Sequence, residues 1–239
     1  MITHIVWTKA LRDDLWDTHT EHPGWSTKKL AGEMGLPWKS VDNALFRLKC
    51  EREDHWLDNA RVGFLDLEST SLHADSGHLL SWGLLTTDGT VYSDLITRRE
   101  IMSSAVEPDK RIVASCLRSL HEVDVVVTYN GTRFDLPLLR SRAMVHGLIF
   151  PAYGQLLQID LYFAAKGLLR LTSKRMGNVS RFLGLTEKDS YDISVWNRAR
   201  RGDTEALQHI YDHNVSDLRI TQDLFIALGP YRKWMGRSV

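Results

Sequence analysis

Hydrophobic spacing divides the chain into two regions with different predicted structure. Before residue 52, apolar positions recur at three-and-four spacing, which is the period of a helix that buries one side. The polar stretch at residues 52–60 follows neither the helical nor the strand period, so we place a domain boundary there. The predicted helices before it are Lys9–Thr20, Ser26–Met34 and Lys39–Glu51. The expected parts are a helical domain of residues 1–55, a second domain of residues 61–230 and a tail of residues 231–239.

From Arg61 onward the pattern changes to apolar runs that predict strands. The predicted strands are Val62–Leu67, Leu79–Thr86, Val91–Ile96 and Val123–Tyr129. Asp88-Gly89, between the second and third of these, is a strong hairpin signal. The predicted helices are Asp109–His121 before the fourth strand, then Asp160–Leu169, Ser173–Leu183 and Thr204–Leu228. Three strands in a meander, a helix and a further strand predict an α/β class with a mixed sheet flanked by helices.

The second and third predicted helices have the spacing of a helix-turn-helix. Gly35 can adopt the left-handed turn, and two apolar stripes flank it: Leu30, Ala31 and Met34, then Val41, Leu45 and Leu48. Roughly the first 50 residues resemble the winged-helix and sigma-like helix-turn-helix families. The third helix would then present these residues to a DNA groove or to phosphates: Lys39, Ser40, Asn43, Arg47 and Lys49. A small bundle with a solvated basic face is the alternative interpretation.

Composition restricts the class of protein. The 239 residues are 43% hydrophobic and 25% charged, the balance of a globular protein rather than a disordered or fibrous one. We find no signal peptide and no run near the roughly 18 apolar residues of a membrane span, so we expect a cytoplasmic protein without membrane contact. Cys50 and Cys116 lie in predicted helices without a CxxC pair, and we expect reduced core thiols.

The charge of the whole chain gives no signal for nucleic acid, because 30 basic residues balance 30 acidic ones. If four carboxylates gathered around metal ions, the remaining surface would be net basic by about four charges. Local basic clusters would then have to contact phosphates. The candidates are Lys174, Arg175, Arg198, Arg200 and Arg201, with a solvated basic loop as the alternative.

Asp66 and Glu68 stand two residues apart near the end of the first predicted strand. Side chains at this spacing point to the same face, so the two carboxylates can grip one divalent ion. Taken alone, an Asp-x-Glu at a strand end is more often a solvated edge. Phe64 shares the same face, however, and a solvent-facing set would not favour a phenylalanine.

Two later segments add a third acid and a histidine with a fourth acid. Asp135 follows an Asn130-Gly131 turn and begins a helix, where an aspartate is ordinarily a cap favourable to the helix dipole. His213 and Asp217 are four residues apart in the last helix and therefore share one of its faces. A surface His-Asp pair is the alternative for this last motif.

The joint pattern of the three segments resembles one known site. The matching motifs are Phe64-Leu-Asp66-Leu-Glu68-Ser-Thr70, Tyr129-Asn130-Gly131-Thr-Arg-Phe134-Asp135-Leu-Pro and His213-Asn-Val-Ser-Asp217. With them, residues 61–228 resemble the DnaQ-like, or DEDD, exonuclease superfamily, nearest its branch related to the proofreading domains of family B polymerases. That superfamily divides by whether tyrosine or histidine stands four residues before the last aspartate. Here it is His213, whereas Tyr211 is six before, so the histidine subtype is the better match.

The resemblance implies a ribonuclease H-like fold and a 3′-to-5′ exonuclease that hydrolyses phosphodiester bonds, with DNA favoured. It implies two ions of Mg²⁺ or Mn²⁺ per site, since oxygen ligands suit hard cations. The implied metal ligands are Asp66, Glu68, Asp135 and Asp217, and His213 is the implied general base. The implied contacts to the terminal nucleotide are Thr70, Asn130 and Phe134.

Two other functions fit the same sequence. One is a non-catalytic helix-turn-helix regulator that uses the nuclease fold only to hold DNA or a partner. The other is an exonuclease directed at RNA, because recognition of a 2′-hydroxyl has no short signature. In the enzyme interpretation the substrate is a single strand or the 3′ end of a duplex. Residues 1–55 would then contact DNA or dock to a replication or repair protein.

Overall fold

The chain forms two compact units, which divide after Asn59. The structure is a computed structural model, and it describes residues 5, 7–52, 57, 60–103, 108–152, 155–185, 192–231 and 237–238. The two units are Met1–Asn59 and Ala60–Val239. Among the helices within these ranges, none is long and apolar enough to cross a bilayer.

The first unit is a bundle of three helices. They are α1 (Lys9–Glu21), α2 (Thr27–Glu33) and α3 (Trp38–Arg52), close to the predicted ranges. The Ser26 side chain accepts a hydrogen bond from the backbone N–H of Lys29, which caps α2. The predicted stripes meet in a core of Leu15, Leu30, Ala31, Val41, Ala44, Leu45 and Leu48, against which Met34 packs. Gly35 has a φ of 64°, the left-handed turn that the sequence predicted.

The predicted DNA-facing residues lie at the start and middle of α3. Lys39 is exposed and Ser40 is half-buried. The side chains of Asn43, Arg47 and Lys49 lie outside the described residues. DNA contact by this unit therefore stays a prediction.

The second unit is built on a six-stranded mixed sheet. The strands are β1 (Val62–Ser69), β2 (Leu79–Thr86), β3 (Val91–Leu95), β4 (Val125–Thr128), β5 (Leu157–Asp160) and β6 (Arg237–Ser238). Their order is β3-β2-β1-β4-β5-β6, in which β1, β4 and β5 run parallel and the other pairs are antiparallel. The carboxyl ends of the three parallel strands therefore open at one edge of the sheet. We call this edge the carboxyl edge.

The helices of this unit are α4 (Arg98–Ile101), α5 (Lys110–Leu120), α6 (Asp135–Val145), α7 (Leu161–Leu168), α8 (Met176–Phe182), α9 (Ile193–Ala199) and α10 (Thr204–Leu228), followed by a 3₁₀ turn at Gly229–Tyr231. The α/β class and the mixed sheet flanked by helices are confirmed. The strand β5 was not predicted from the sequence, because it has only four residues and α7 follows it without a break. Residues 237–238, within the expected tail, pair with β5 as an edge strand.

The two faces of β1 meet different helices. Leu65 and Leu67 lie in the same core as Ile112 and Cys116 of α5. On the alternate face, the Phe64 ring packs edge-on against Phe225 of α10, with 5.6 Å between ring centroids. The strand is therefore covered by helices on both sides, and the solvated-edge alternative for β1 is wrong.

Two core residues lie against α5 or within it. Trp82 is buried, and its indole N–H donates to the Ser115 hydroxyl of α5 at 3.0 Å. The expectation of a reduced core thiol is confirmed for Cys116. Cys116 is a free, buried thiol whose pKa is raised by burial and by the nearby carboxylates of Asp135 and Asp94. Cys50 has its side chain outside the described residues.

A buried ion-pair network joins the elements behind the β1–β2 loop. Asp109, fully buried, accepts hydrogen bonds from Arg142 at 2.6 and 2.9 Å and from the backbone N–H of Leu79 at 2.8 Å. The His146 Nε2 lies 2.8 Å from Asp109 Oδ1, and Arg142 donates to the carbonyl of Ala74 in the loop. Burial alone would raise the pKa of Asp109, but the bonds from Arg142 and Leu79 outweigh it and lower that pKa.

Asp109→Asn is predicted to reduce the free energy of unfolding by about 3 kcal/mol, because it leaves Arg142 buried beside a neutral amide. The folded state lowers the pKa of Asp109. The difference in the free energy of unfolding between the variant and wild type should therefore be largest above the usual aspartate pKa and should shrink as pH falls below it. Urea denaturation followed by circular dichroism measures both.

The matched control is Asp124→Asn, which breaks the half-exposed pair with Arg61. We expect a loss below about 1 kcal/mol for it. Equal losses in the two variants would contradict the role given to the buried network.

Candidate active site

The face of β1 that carries Asp66 and Glu68 is turned toward α10. Asp66 pairs in register with Gly83 of β2, and a Cβ at Gly83 would lie 2.7 Å from Leu218 Cδ1 and 3.0 Å from Asn214 Oδ1. Only glycine at this position lets α10 approach the sheet so closely. Because Gly83 of β2 has no side chain, α10 can lie close to Asp66 and Glu68.

The helix α10 supplies the opposite wall of the site. It begins after Asp203, whose side chain accepts from the backbone N–H of Ala206 at 3.0 Å and caps the first turn. His213, Asn214 and Asp217 follow, and all three are buried. A polar stretch of the helix is thus held inside the protein rather than on its surface, and the surface-pair alternative for the histidine and aspartate is wrong.

Glu68, His213 and Asp217 form one cluster across the strand and the helix. The His213 Nε2 lies 3.7 Å from Asp217 Oδ2 and 3.9 Å from Glu68 Oε1. One oxygen or nitrogen atom from each of the three residues lies within 4.8 Å of the others. This spacing places the imidazole beside two carboxylates whose oxygens could hold a cation.

Asp66 is tied to the same cluster by Asn214, which follows His213 in the chain. The Asn214 side-chain amide donates to Asp66 Oδ2 at 2.7 Å, and Ser81 Oγ lies 3.3 Å from Asn214 Oδ1. The sequence analysis gave Asn214 no role. Its place next to His213 was visible, but only the approach of α10 to β1 and β2 reveals its partners.

Asp135 joins the site from α6. Its Oδ1 accepts a hydrogen bond from the backbone N–H of Leu67 at 3.1 Å, and Leu67 stands between Asp66 and Glu68. Asp135 is buried, so a carboxylate that resembled a surface helix cap connects α6 to the central strand instead. The structure therefore brings all four predicted acids and His213 to one region.

The three residues predicted to contact a terminal nucleotide border this region in different ways. Thr70 is buried, and its hydroxyl accepts from the backbone N–H of His78, which closes the β1–β2 loop. Asn130 has a φ of 66° and is half-buried at the end of β4. Phe134 is half-buried and packs against the main core. Contact of these residues with substrate stays a prediction.

Other side chains of α9 and α10 lie beside the site or point away from it. The Trp196 ring packs edge-on against the His213 ring, with 5.6 Å between centroids, and so limits the rotation of the imidazole. Tyr211 points elsewhere, since its hydroxyl lies 2.7 Å from the Ser93 hydroxyl of β3. Arg198, Arg200 and Arg201 lie exposed before α10.

The donor set suits a hard divalent cation. Asp66 and Glu68 of β1, Asp135 of α6 and Asp217 of α10 lie at the carboxyl edge, and oxygen ligands favour Mg²⁺ or Mn²⁺ over softer metals. Neighbouring carboxylates repel one another unless protons or cations neutralise them. The residues present therefore fit a hard divalent cation.

Comparison with known proteins identifies the family. A family model described as the RNase_H superfamily matches residues 63–228, well over half of the chain. The chain belongs to the ribonuclease H superfamily. The match covers β1 through α10, so the ribonuclease H-like fold implied by the sequence is confirmed.

Two individual proteins are similar to this chain, and each is matched over only part of its own length. A DNA polymerase of Methanocaldococcus jannaschii is 40% identical over 43 residues, which are 18% of this chain and 3% of the polymerase. The uncharacterized protein YprB of Bacillus subtilis is 32% identical over 132 residues, 54% of this chain and 29% of YprB.

Among solved structures, the family B DNA polymerase of Pyrobaculum calidifontis is similar in fold. It matches with a TM-score of 0.59 and 19% sequence identity over 72% of this chain and 25% of the polymerase. At that identity the likeness concerns the fold alone. The chain spans less than a third of the length of each of these three relatives.

Asn214→Ala is predicted to weaken Mn²⁺ binding by roughly 10- to 100-fold, the usual effect of removing a group that orients a metal ligand. The reason is that Asp66 Oδ2 would lose the amide that orients it. Titration with Mn²⁺, followed by electron paramagnetic resonance of the free ion, measures the affinity. Asn197→Ala on the exposed face of α9 is the control, and equal Mn²⁺ affinity in the two variants would contradict the role of Asn214.

Proposed function

We propose that this chain is a metal-dependent 3′-to-5′ exonuclease that hydrolyses phosphodiester bonds, with DNA as the favoured substrate. The observation that carries the proposal is the cluster of Glu68, His213 and Asp217, whose ligand atoms lie within 4.8 Å of one another. Asp66 and Asp135 reach the same region through Asn214 and Leu67. Membership of the ribonuclease H superfamily and the partial matches to DNA polymerases support a nuclease.

The four carboxylates would hold two ions of Mg²⁺ or Mn²⁺. By the resemblance to DEDD exonucleases, Asp66 would serve both ions, Glu68 and Asp217 would each complete one, and Asp135 would act through coordinated water. The ions would supply the acidity of the attacking water and the positive charge that stabilises the leaving oxygen. The protein contributes fixed positions for the carboxylates, because β1, α6 and α10 are all held by core packing.

His213 would act as the general base of the histidine subtype. It would accept a proton from the water whose oxygen attacks the phosphorus of the last phosphodiester. The bond from phosphorus to the 3′ oxygen then breaks, releasing a nucleoside 5′-monophosphate and leaving a new 3′ hydroxyl. Trp196 and Asp217 border the imidazole, so it is held ready for this transfer.

Thr70, Asn130 and Phe134 would surround the terminal nucleotide. They lie at or just beyond the ends of β1 and β4, on the carboxyl edge with the acids. Asn130 adopts the left-handed conformation next to Gly131, where a Cβ would lie 2.5 Å from Thr128 Cβ. This tight turn fixes the end of β4 and would keep the amide of Asn130 near the substrate.

Replacing the acids tests the proposal most simply. Asp66→Ala and Asp217→Ala are each predicted to abolish digestion of a single strand in Mg²⁺, because each removes a metal ligand. Gel electrophoresis of a 5′-labelled strand shows a ladder of shortened products, and a 3′-labelled strand releases labelled mononucleotide. Asp212→Ala, on the exposed side of α10, is the control and should retain wild-type digestion.

Undiminished digestion by both Asp66→Ala and Asp217→Ala would eliminate the proposal. Release of mononucleotides from the 5′ end would contradict the direction. Matched DNA and RNA strands in the same assay decide which sugar is preferred.

His213→Ala is predicted to reduce the rate of digestion by roughly 10²-fold or more, the contribution typical of a general base. The strand should bind with unchanged affinity, because His213 would act on the water and not on the nucleic acid. Single-turnover kinetics measure the rate. His209→Ala, exposed on the same helix, should digest as wild type does, and an equal rate for His213→Ala would contradict the role.

A further inference from the structure

A group of cations next to the carboxyl edge has no carboxylate partner among the residues that the structure describes. We call it the α7 basic face and define it as Arg133, Tyr162, Lys166, Arg170 and Lys174. Within the described part of the chain, none of its four cations forms an ion pair, whereas Arg61, Arg111 and Arg142 all do. Arg133, Lys166 and Arg170 are exposed, so their charges are available to a ligand.

Aromatic rings lie among these cations. The Arg133 guanidinium carbon lies 5.5 Å from the ring centroids of both Tyr162 and Phe163. The Tyr129 ring packs edge-on against Tyr162, and its hydroxyl donates to the carbonyl of Lys174 at 2.6 Å. Burial and the nearby carboxylate of Asp160 raise the pKa of Tyr129, so this hydroxyl stays protonated. The rings are therefore held in fixed positions.

An open pocket of about 460 Å³ lies beside Tyr162. The other lining residues are Lys166, Gly167, Leu168, Leu169, Arg170 and Lys174. The Lys174 ammonium donates to the carbonyl of Leu171, which keeps this side chain on the pocket wall. The pocket thus combines cations, an aromatic ring and apolar side chains, and no carboxylate is among its lining residues.

The α7 basic face is fixed to the edge of the sheet that carries the acids. The Asp160 carboxylate, at the end of β5, accepts from the backbone N–H groups of Asn130, Thr132 and Tyr162 at 2.8, 3.0 and 3.0 Å. β5 lies two strands from β1, a distance of roughly 10 Å at the usual strand spacing. A strand of nucleic acid that ended at Asp66 would reach this face within a few nucleotides.

The chemistry of this face matches a single strand of nucleic acid. Unpaired cations attract phosphates, and an aromatic face accepts a stacked base whatever its sequence. The bases of a duplex are already stacked on each other and cannot enter such a pocket. Because the whole chain has no net charge, a local cluster is needed to attract a polyanion.

We propose that the α7 basic face binds the single-stranded segment that leads into the acidic site, with phosphates on Arg133, Lys166 and Arg170 and a base against Tyr162. This inference rests on the proposed exonuclease function, because that function is what would place the end of the strand at the acidic site. The binding itself does not require hydrolysis and is measured separately.

The test uses the full chain and an oligothymidylate of about 20 nucleotides, labelled with fluorescein. Binding is measured by fluorescence anisotropy in EDTA, where hydrolysis cannot occur. The face variant combines Arg133→Ala, Lys166→Ala and Arg170→Ala. The control variant removes three exposed cations elsewhere on the same unit, Arg99→Ala, Lys110→Ala and Arg118→Ala.

We expect binding to weaken by roughly 10-fold or more in the face variant and to change less than about twofold in the control. The slope of log affinity against log salt should fall by about two in magnitude, since each phosphate contact on a single strand contributes about 0.7. Tyr162→Phe should bind as wild type does, and Tyr162→Leu should bind more weakly, because stacking needs the ring.

The inference is overturned if the face variant binds the single strand with wild-type affinity and salt dependence. It is also overturned if the variant loses binding only to vesicles of anionic phospholipid and keeps binding to the strand.

Hydrolysis of a dinucleotide, too short to reach the face, separates the two proposals. If wild type cleaves neither the dinucleotide nor the strand in Mg²⁺ but the face variant still loses binding of the strand, the exonuclease proposal fails and the binding face stands. If both proteins cleave it equally and bind the strand equally, the face proposal alone fails.

Discussion

The close packing of α10 against β1 and β2 is the constraint on which the rest of this structure depends. Gly83 removes a side chain from β2 at the point where Asn214 and Leu218 meet the sheet. Farther along the contact, Phe64 and Phe225 close the apolar part of the interface. Because β1 and α10 are held together in this way, the polar side chains between them are buried or half-buried. Their charges therefore need compensating groups nearby.

That constraint links stability to chemistry. Four carboxylates at one edge of a sheet are unfavourable unless hydrogen bonds, protons or cations compensate them. Asn214 and the N–H of Leu67 each donate to one of them, and His213 lies beside two others. A divalent cation compensates such a group more fully, and in doing so it becomes able to activate water. The side chains that hold the cation, and so reduce the repulsion among the carboxylates, would thus also position it for catalysis.

The resemblance to DEDD exonucleases joined the acids and the histidine into one set, and local rules account for two pairs among them. Strand alternation puts Asp66 and Glu68 on one face, and helical spacing does the same for His213 and Asp217. The fold class followed from the order of apolar runs. The four predicted strands lie within a few residues of β1, β2, β3 and β4.

What could not be predicted depends on contacts between distant residues. β5 has only four residues, and nothing local separates it from the helix that follows. Asn214 meets Asp66 across 148 positions of the chain, and Asp109 meets Arg142 across 33. Asp160 was predicted only as the first residue of a helix, yet its carboxylate also fixes the turn after β4. No spacing rule reveals such partners, because tertiary packing alone creates them.

Anomalous diffraction from a crystal grown with Mn²⁺ and a nucleoside 5′-monophosphate would locate the metal ions of the proposed nuclease. We expect two Mn²⁺ peaks at the carboxyl edge, with Asp66 touching both and the His213 nitrogens touching neither. Manganese bound only at other acids of the chain would contradict it. So would a single ion ligated by His213, since that histidine could not then accept a proton.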